Sequence, residues 1–204
     1  MFFGAAIYAA PDLNKIMQLA QQRYGANAVQ TVQQWRTLLH DAQELSELDK
    51  IKKVNDFFNR KIEFRDDQEI WGLSDYWATP LETMGRGAGD CEDYAIAKYT
   101  TLKLLQVPIE RMRITYVRAQ LGGARGSQAH MVLSYYASPD AEPAILDNLI
   151  TDIRLASQRT DLHPVFSFNS EGMWVGGPAS VGGGTARLSR WRDVVARMQA
   201  DGFE

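Results

Sequence analysis

The only cysteine of the chain, Cys91, is the residue best suited to covalent chemistry. A glycine-bearing turn that ends in Asp90 precedes it, and the apolar residues after it repeat at helical spacing until shortly before Pro108. This pattern predicts that Cys91 lies at or near the N-terminus of a helix, where unpaired backbone N–H groups and the helix dipole favour a thiolate. Cys91 is therefore a candidate nucleophile, although a lone cysteine is more often a small buried hydrophobe.

A cysteine nucleophile needs a base, and the chain contains three histidines. His40 ends an amphipathic helical pattern and is predicted at the surface, and His163 lies in a polar segment predicted to be a loop. His130 is predicted to open a strand because β-forming residues follow it. A turn separates that strand from a second one, residues 144–149, which contains Asp147.

This order predicts that His130 and Asp147 are neighbours on adjacent antiparallel strands. Asp147 would then fix the imidazole tautomer, and His130 would take the proton of the Cys91 thiol. Taken singly, each of the three residues fits an ordinary structural role. Their order along the chain favours a Cys–His–Asp site.

Three carboxylates, Asp90, Glu92 and Asp93, surround Cys91 in the sequence. Such groups raise the pKa of a thiol and oppose thiolate formation. A hard cation such as calcium, which prefers carboxylate and carbonyl oxygens, would remove the conflict. The alternative is that Glu92 and Asp93 only stabilise the first turn of the helix through its dipole. The spacing is not that of an EF-hand loop.

Several segments together resemble the bacterial transglutaminase-like cysteine proteinases of the LapG type. The segments are residues 75–82 (DYWATPLE), 89–99 (GDCEDYAIAKY), 129–133 (AHMVL) and 146–148 (LDN). The resemblance is strong from residue 56 to residue 148, with a glycine-rich departure at residues 121–128. It implies that Cys91 is the nucleophile, His130 the general base and acid, and Asp147 the orienting acid. It also implies a calcium ion bound by Asp90 and Glu92, with Asp93 as a third ligand.

The same resemblance implies a function: a calcium-dependent cysteine endopeptidase of the periplasm. Its substrate would be the N-terminal region of a large cell-surface adhesin, cut at a di-alanine-type site, and release of the adhesin would promote biofilm dispersal. The implied inhibitory partner is the periplasmic domain of an inner-membrane receptor for cyclic-di-GMP. Two alternatives remain open. One is a transglutaminase-like amidase or acyltransferase, and the other is a non-catalytic calcium-binding adaptor module.

The composition predicts one domain, residues 11–204. The chain has 204 residues, 45% of them hydrophobic and 23% charged, which is enough to bury a sizeable core. A net charge of -3 provides no basic footprint for nucleic acid, and no apolar run reaches the roughly 20 residues that span a bilayer. Residues 1–10 are apolar and end in small residues, which fits either a signal-peptide remnant or an N-terminal extension.

The apolar spacing predicts an α+β domain of the papain/transglutaminase-like class, with N-terminal helices packed on a mostly antiparallel sheet. Helical stripes cover residues 13–20, 29–39 and 45–58, before the helix of Cys91. Strands are predicted at residues 113–117, 130–136, 144–149, 165–168 and 172–175, and a terminal helix at residues 188–198. Trp77 is expected in the core beside the site.

Overall fold

The computed structural model describes residues 10–122, 126–175 and 188–203. The first third of the chain forms three helices, α1 (Leu13–Tyr24), α2 (Ala26–Ala42) and α3 (Glu47–Lys61), as the apolar stripes predict. Ser46 precedes α3, and its hydroxyl accepts a hydrogen bond from the backbone N–H of Asp49. The segment predicted to be a signal-peptide remnant or an N-terminal extension, residues 1–10, lies outside the described residues except for residue 10.

A compact connection leads from these helices to the cysteine. It contains β1 (Glu63–Phe64), α4 (Asp67–Ile70), α5 (Pro80–Arg86) and β2 (Ala88–Gly89). The strands β1 and β2 pair in parallel, with Phe64 opposite Gly89. The next helix, α6 (Cys91–Leu104), is buried without interruption from Asp93 to Leu102, so it is the central helix of the domain.

Among the described residues, six strands form the main sheet: β3 (Met112–Gln120), β4 (Ser127–Tyr135), β5 (Ala144–Leu146), β6 (Arg154–Leu155), β7 (Leu162–Phe168) and β8 (Met173–Trp174). Their order is β6-β5-β4-β3-β7-β8, and every neighbouring pair is antiparallel. The helix α7 (Ser189–Asp201) follows the sheet in sequence. The predicted α+β architecture is confirmed.

The structure corrects three local predictions. The strand β4 begins at Ser127, so His130 lies inside the strand, because β4 pairs with β3 as far as Gln120. The strand β5 ends at Leu146, which places Asp147 directly after the strand. His163 belongs to β7 and not to a loop. The proline that follows His163 is tolerated because the register of β3 and β7 shifts beside it.

The main apolar core lies between the helices and one face of the sheet. Trp35 of α2 is fully buried there and donates its indole N–H to the Thr101 hydroxyl over 3.0 Å. Its ring centroid lies 5.6 Å from that of Phe203, with the two ring planes tilted by 54°. A smaller cluster of Val117, Val132 and Ile145 lies apart from this core. Among the residues that the structure describes, no helix is long and apolar enough to cross a membrane.

Candidate active site

Cys91 is the first residue of α6, as predicted, and Asp90 is its N-cap. The Asp90 backbone N–H donates to the Asp93 carboxylate over 3.4 Å, which closes a capping box around the cysteine. Gly89, two residues before Cys91, is tightly enclosed by side chains. A Cβ at Gly89 would lie 2.9 Å from Asp93 and 3.3 Å from the Thr83 methyl group, so the turn into Cys91 requires glycine.

Cys91 and His130 line one cavity of about 410 Å³, hereafter the Cys91 cavity. Tyr116 and Phe166 form one wall of it. Their rings are stacked, with centroids 5.1 Å apart and an angle of 7° between the ring planes. Trp77 also lines the cavity but is only 7% exposed and belongs to the main core, as expected from the sequence. The cavity therefore presents a thiol, an imidazole and an apolar wall to the same space.

His130 and Asp147 are both buried and are joined by a hydrogen bond of 2.7 Å between Nε2 and Oδ1. The same carboxylate oxygen accepts the backbone N–H groups of Asn148 (2.6 Å) and Leu149 (3.1 Å). Burial raises the pKa of Asp147, but its hydrogen bonds, first of all that with His130, outweigh burial and lower the pKa to about 2. Asp147 is therefore ionised at neutral pH, so Nε2 of His130 must donate. In the neutral ring this leaves Nδ1 as the basic nitrogen.

A ring of hydrogen bonds fixes the backbone of Asp147. Its carbonyl oxygen accepts from Nδ2 of Asn59 (2.9 Å) and from Nζ of Lys98 (3.0 Å), and Lys98 also donates to Oδ1 of Asn59 (2.9 Å). Burial lowers the pKa of Lys98 to about 7, against the opposing effect of the Asp147 charge. Because Lys98 is on α6 and Asn59 on α3, these hydrogen bonds connect the cysteine helix and α3 to the residue that is hydrogen-bonded to the imidazole.

The electrostatic conflict that the sequence predicts is present at the thiol. Sγ of Cys91 donates to Oε2 of Glu92 over 2.9 Å. Burial is the largest cause that raises the pKa of Cys91, and the charges of Glu92 and Asp90 raise it further. Without a compensating positive charge, the thiol is therefore strongly favoured over the thiolate.

The carboxylates beside Cys91 form an acidic cluster with two residues that the sequence analysis missed, Asp67 and Asp75. Donor atoms lie within 4.8 Å of one another in three overlapping groups: Asp90, Cys91 and Glu92; Asp67, Asp90 and Asp93; and Asp67, Asp75 and Glu92. No local sequence signal marks Asp67, since it arrives beside the cysteine turn only through the pairing of β1 with β2.

The acidic cluster fits a hard cation. Oδ1 of Asp67 and Oδ1 of Asp90 are buried and have no hydrogen-bond partner within the described part of the chain. Burial, together with the charge of Glu92, raises the pKa of Asp67 to about 6 and that of Asp90 to about 10. Carboxylate oxygens are ligands that calcium prefers, and a bound cation would both partner these buried oxygens and relieve the repulsion between them.

A cysteine at a helix start, with a buried His–Asp pair at neighbouring antiparallel strands, is the arrangement of papain-like and transglutaminase-like thiol enzymes. Residues 21–175 match the bacterial transglutaminase-like cysteine proteinase family, and the chain belongs to this family of cysteine proteases. The resemblance stated from the sequence is thereby confirmed. A comparison with curated proteins finds no match.

Solved structures of Legionella pneumophila LapG share the fold. The EGTA-treated form is 42% identical, with a TM-score of 0.79 and coverage of 93% of this chain and 100% of that chain. A second LapG structure is 41% identical, with a TM-score of 0.77 and coverage of 93% and 99%. The calcium-bound form is 40% identical, with a TM-score of 0.76 and coverage of 91% and 98%.

Proposed function

We propose that this cysteine protease is a calcium-dependent endopeptidase in which Cys91 is the nucleophile, His130 the general base and acid, and Asp147 the orienting acid. The observation that carries the proposal is the 2.7 Å hydrogen bond between His130 and Asp147, two buried side chains, with His130 at the wall of the Cys91 cavity. This bond leaves Nδ1 of His130 as the base for the thiol that lines the same cavity.

In the acylation half of the reaction, the Cys91 thiol gives its proton to Nδ1 of His130. The thiolate then attacks the carbonyl carbon of the scissile peptide bond, and a C–S bond forms. Backbone N–H groups at the start of α6 stabilise the negative charge that develops on the carbonyl oxygen. His130 returns the proton to the departing amine, the C–N bond breaks, and an acyl-enzyme remains.

Deacylation repeats these roles with water. His130 takes a proton from a water molecule, whose oxygen attacks the acyl carbon, and the C–S bond breaks. The carboxylic acid product leaves, and the thiol is restored with the proton from His130. Ionised Asp147 stabilises the imidazolium form of His130 in both halves.

Calcium is proposed at the acidic cluster, held by Asp90, Glu92 and Asp93 with the added carboxylates of Asp67 and Asp75. When bound, the ion supplies positive charge that compensates these carboxylates and favours the thiolate. Support comes from the orphaned buried oxygens of Asp67 and Asp90, and from the calcium-bound and EGTA-treated structures of the relative.

The proposed substrate is the N-terminal region of a large cell-surface adhesin, whose release would promote biofilm dispersal. The proposed location is the periplasm, and the proposed inhibitor is the periplasmic domain of an inner-membrane cyclic-di-GMP receptor. Family membership supports these assignments. Titration of that receptor domain into a cleavage assay tests the partner: saturable loss of activity is expected, and unchanged activity at a large excess contradicts it.

The central test is cleavage of a recombinant adhesin N-terminal region, in calcium and after chelation with EGTA. The parent should cleave in calcium only, and Cys91→Ala and His130→Gln should be inactive. His163→Gln is the matched control, since His163 lies in β7 and does not line the Cys91 cavity. Cleavage that survives chelation contradicts the calcium assignment alone, and cleavage by Cys91→Ala contradicts the nucleophile.

The same assay separates hydrolysis from acyl transfer. A primary amine is added with the peptide, and the products are weighed by mass spectrometry. A free carboxylate at the cut site is expected from a protease. An amide with the added amine as the sole product would instead identify an acyltransferase.

A further inference from the structure

We infer that Arg159 is a positioning residue, which holds the Asp147 carboxylate and through it the His130 ring. The inference rests on the proposed function, since it extends the proposed Cys–His–Asp site by one residue. It starts from an ion pair between two buried side chains: Nη2 of Arg159 lies 2.6 Å from Oδ2 of Asp147.

The two oxygens of Asp147 are held in different ways. Oδ1 accepts His130 and the two backbone N–H groups that follow Asp147, whereas Arg159 is the one donor to Oδ2 within the described part of the chain. Without Arg159 the carboxylate would keep its contacts on one oxygen only and could rotate about its Cβ–Cγ bond. Because His130 bonds to that same group, the imidazole would lose its fixed direction.

Arg159 is itself oriented by a second carboxylate, Asp161. Nε of Arg159 donates to Oδ1 of Asp161 (3.0 Å), and Nη2 donates to Oδ2 (2.8 Å). The backbone carbonyl of Asp161 accepts the N–H of Gln120 over 2.8 Å, which anchors this residue to the end of β3. A planar guanidinium can hold both carboxylates at once, whereas a lysine ammonium is a single point charge on a flexible stem.

The burial of Arg159 argues against a packing role alone. Its side chain is 1% exposed, and its Nη1 is buried without a hydrogen-bond partner among residues 10–122, 126–175 and 188–203. An unsatisfied buried donor destabilises a fold, and apolar residues of similar volume often replace buried ion pairs without loss of stability. The presence of arginine here is explained by its ion pair with Asp147.

The test compares Arg159→Lys and Arg159→Ala with the parent in the adhesin cleavage assay. Both variants should lower kcat by about a hundredfold while KM stays within about twofold, because ring misplacement affects the chemical step and not substrate binding. Guanidinium at millimolar concentration should restore part of the kcat of Arg159→Ala. Arg154→Lys is the matched control, since Arg154 is exposed and its Nη2 lies 3.7 Å from Oδ2 of Asp152.

A spectroscopic measurement tests the positioning role of Arg159 without substrate. The Nε2 proton of His130, held by Asp147, should give a downfield ¹H NMR signal in the parent and in Arg154→Lys. The signal should broaden or shift in Arg159→Lys. Asp161→Asn gives a second variant that leaves Arg159 in place, and it should lower kcat by a smaller factor than Arg159→Lys.

The positioning role of Arg159 and the protease assignment can fail separately. Parental kcat and an unchanged His130 signal in Arg159→Lys would overturn the positioning role, even if the parent is an active protease. If the parent cleaves nothing, the protease assignment fails, and the NMR comparison alone decides whether Arg159 holds the pair. Lower activity explained by unfolding, with no rescue by guanidinium and a normal NMR signal in the folded fraction, would also overturn it.

Discussion

Replacement of Lys98 by methionine should change how the stability of the protein depends on pH. The Lys98 side chain is 1% exposed, and the two oxygens that accept its hydrogen bonds, on Asn59 and on the Asp147 backbone, are both neutral. Burial is the main cause that lowers its pKa from 10.5 to about 7. Methionine has a similar length, carries no charge and cannot titrate.

The direction in which the free energy of unfolding changes with pH follows from where the Lys98 proton is bound. Below a pH of about 7 both the folded and the unfolded chain bind the Lys98 proton, and between about 7 and 10.5 only the unfolded chain does. The free energy of unfolding of the parent therefore rises with pH across this window, by about 1.4 kcal/mol per pH unit from Lys98 alone. From about pH 7.5 to about pH 9.5 the gain is about 2.5 kcal/mol, and Lys98→Met lacks it.

The assay is urea unfolding followed by tryptophan fluorescence, in calcium, at both pH values. The contributions of other titrating groups cancel when parent and variant are compared at the same pH. The decisive quantity is therefore the parent–variant difference in free energy of unfolding and how it changes between the two pH values. Lys53→Met is the control, since Lys53 is exposed on α3, and its difference from the parent should stay constant. A parent–variant difference for Lys98→Met that is equal at the two pH values would refute the argument that burial lowers the pKa of Lys98.

Three further predictions concern the metal, the core and the triad. Calcium at about a hundred times its Kd should stabilise the fold by about 2.7 kcal/mol and raise Tm by about 5–11 °C, measured by scanning fluorimetry. Asp67→Asn should lose most of that rise, and an undiminished rise would remove Asp67 from the site. Trp35→Phe should cost about 1–3 kcal/mol in urea unfolding, because the buried Thr101 hydroxyl loses its 3.0 Å partner; cleavage should persist. Asp147→Asn should lower kcat by about 10⁴-fold at similar KM, because an amide would favour the wrong His130 tautomer, and a loss below tenfold would contradict the orienting role.

Local patterns were sufficient to place the cysteine and the strands β4 and β5. The glycine-bearing turn before Cys91 and the turn between His130 and Asp147 act over a few residues. The sequence alone therefore predicts that Cys91 lies at or near the start of a helix and that β4 and β5 are antiparallel neighbours. Family resemblance added the roles proposed for these residues. The exact strand ends were not predictable, because they depend on how far β3 extends as the pairing partner.

The supporting residues could not be found from local patterns. From helical periodicity, a charged residue of a helix is predicted to face solvent. Because α6 is buried on every side, Lys98 instead points into the interior. Asp67 reaches the cysteine turn through a parallel pairing of two-residue strands, which has no sequence signature. Arg159 lies in the turn after a short 3₁₀ helix, and an isolated arginine gives no signal that it is buried against Asp147.

The enclosure of Gly89 limits how this enzyme can diversify. Any side chain at that position would displace Asp93 or Thr83, so a mutation two residues from the proposed nucleophile would disturb the acidic cluster before it altered a substrate contact. New cleavage preferences are therefore more accessible through Tyr116 and Phe166, whose stacked rings line the Cys91 cavity on strands apart from the cysteine turn. A library that varies those two positions and keeps Gly89 constant would preserve the fold while it samples new specificities.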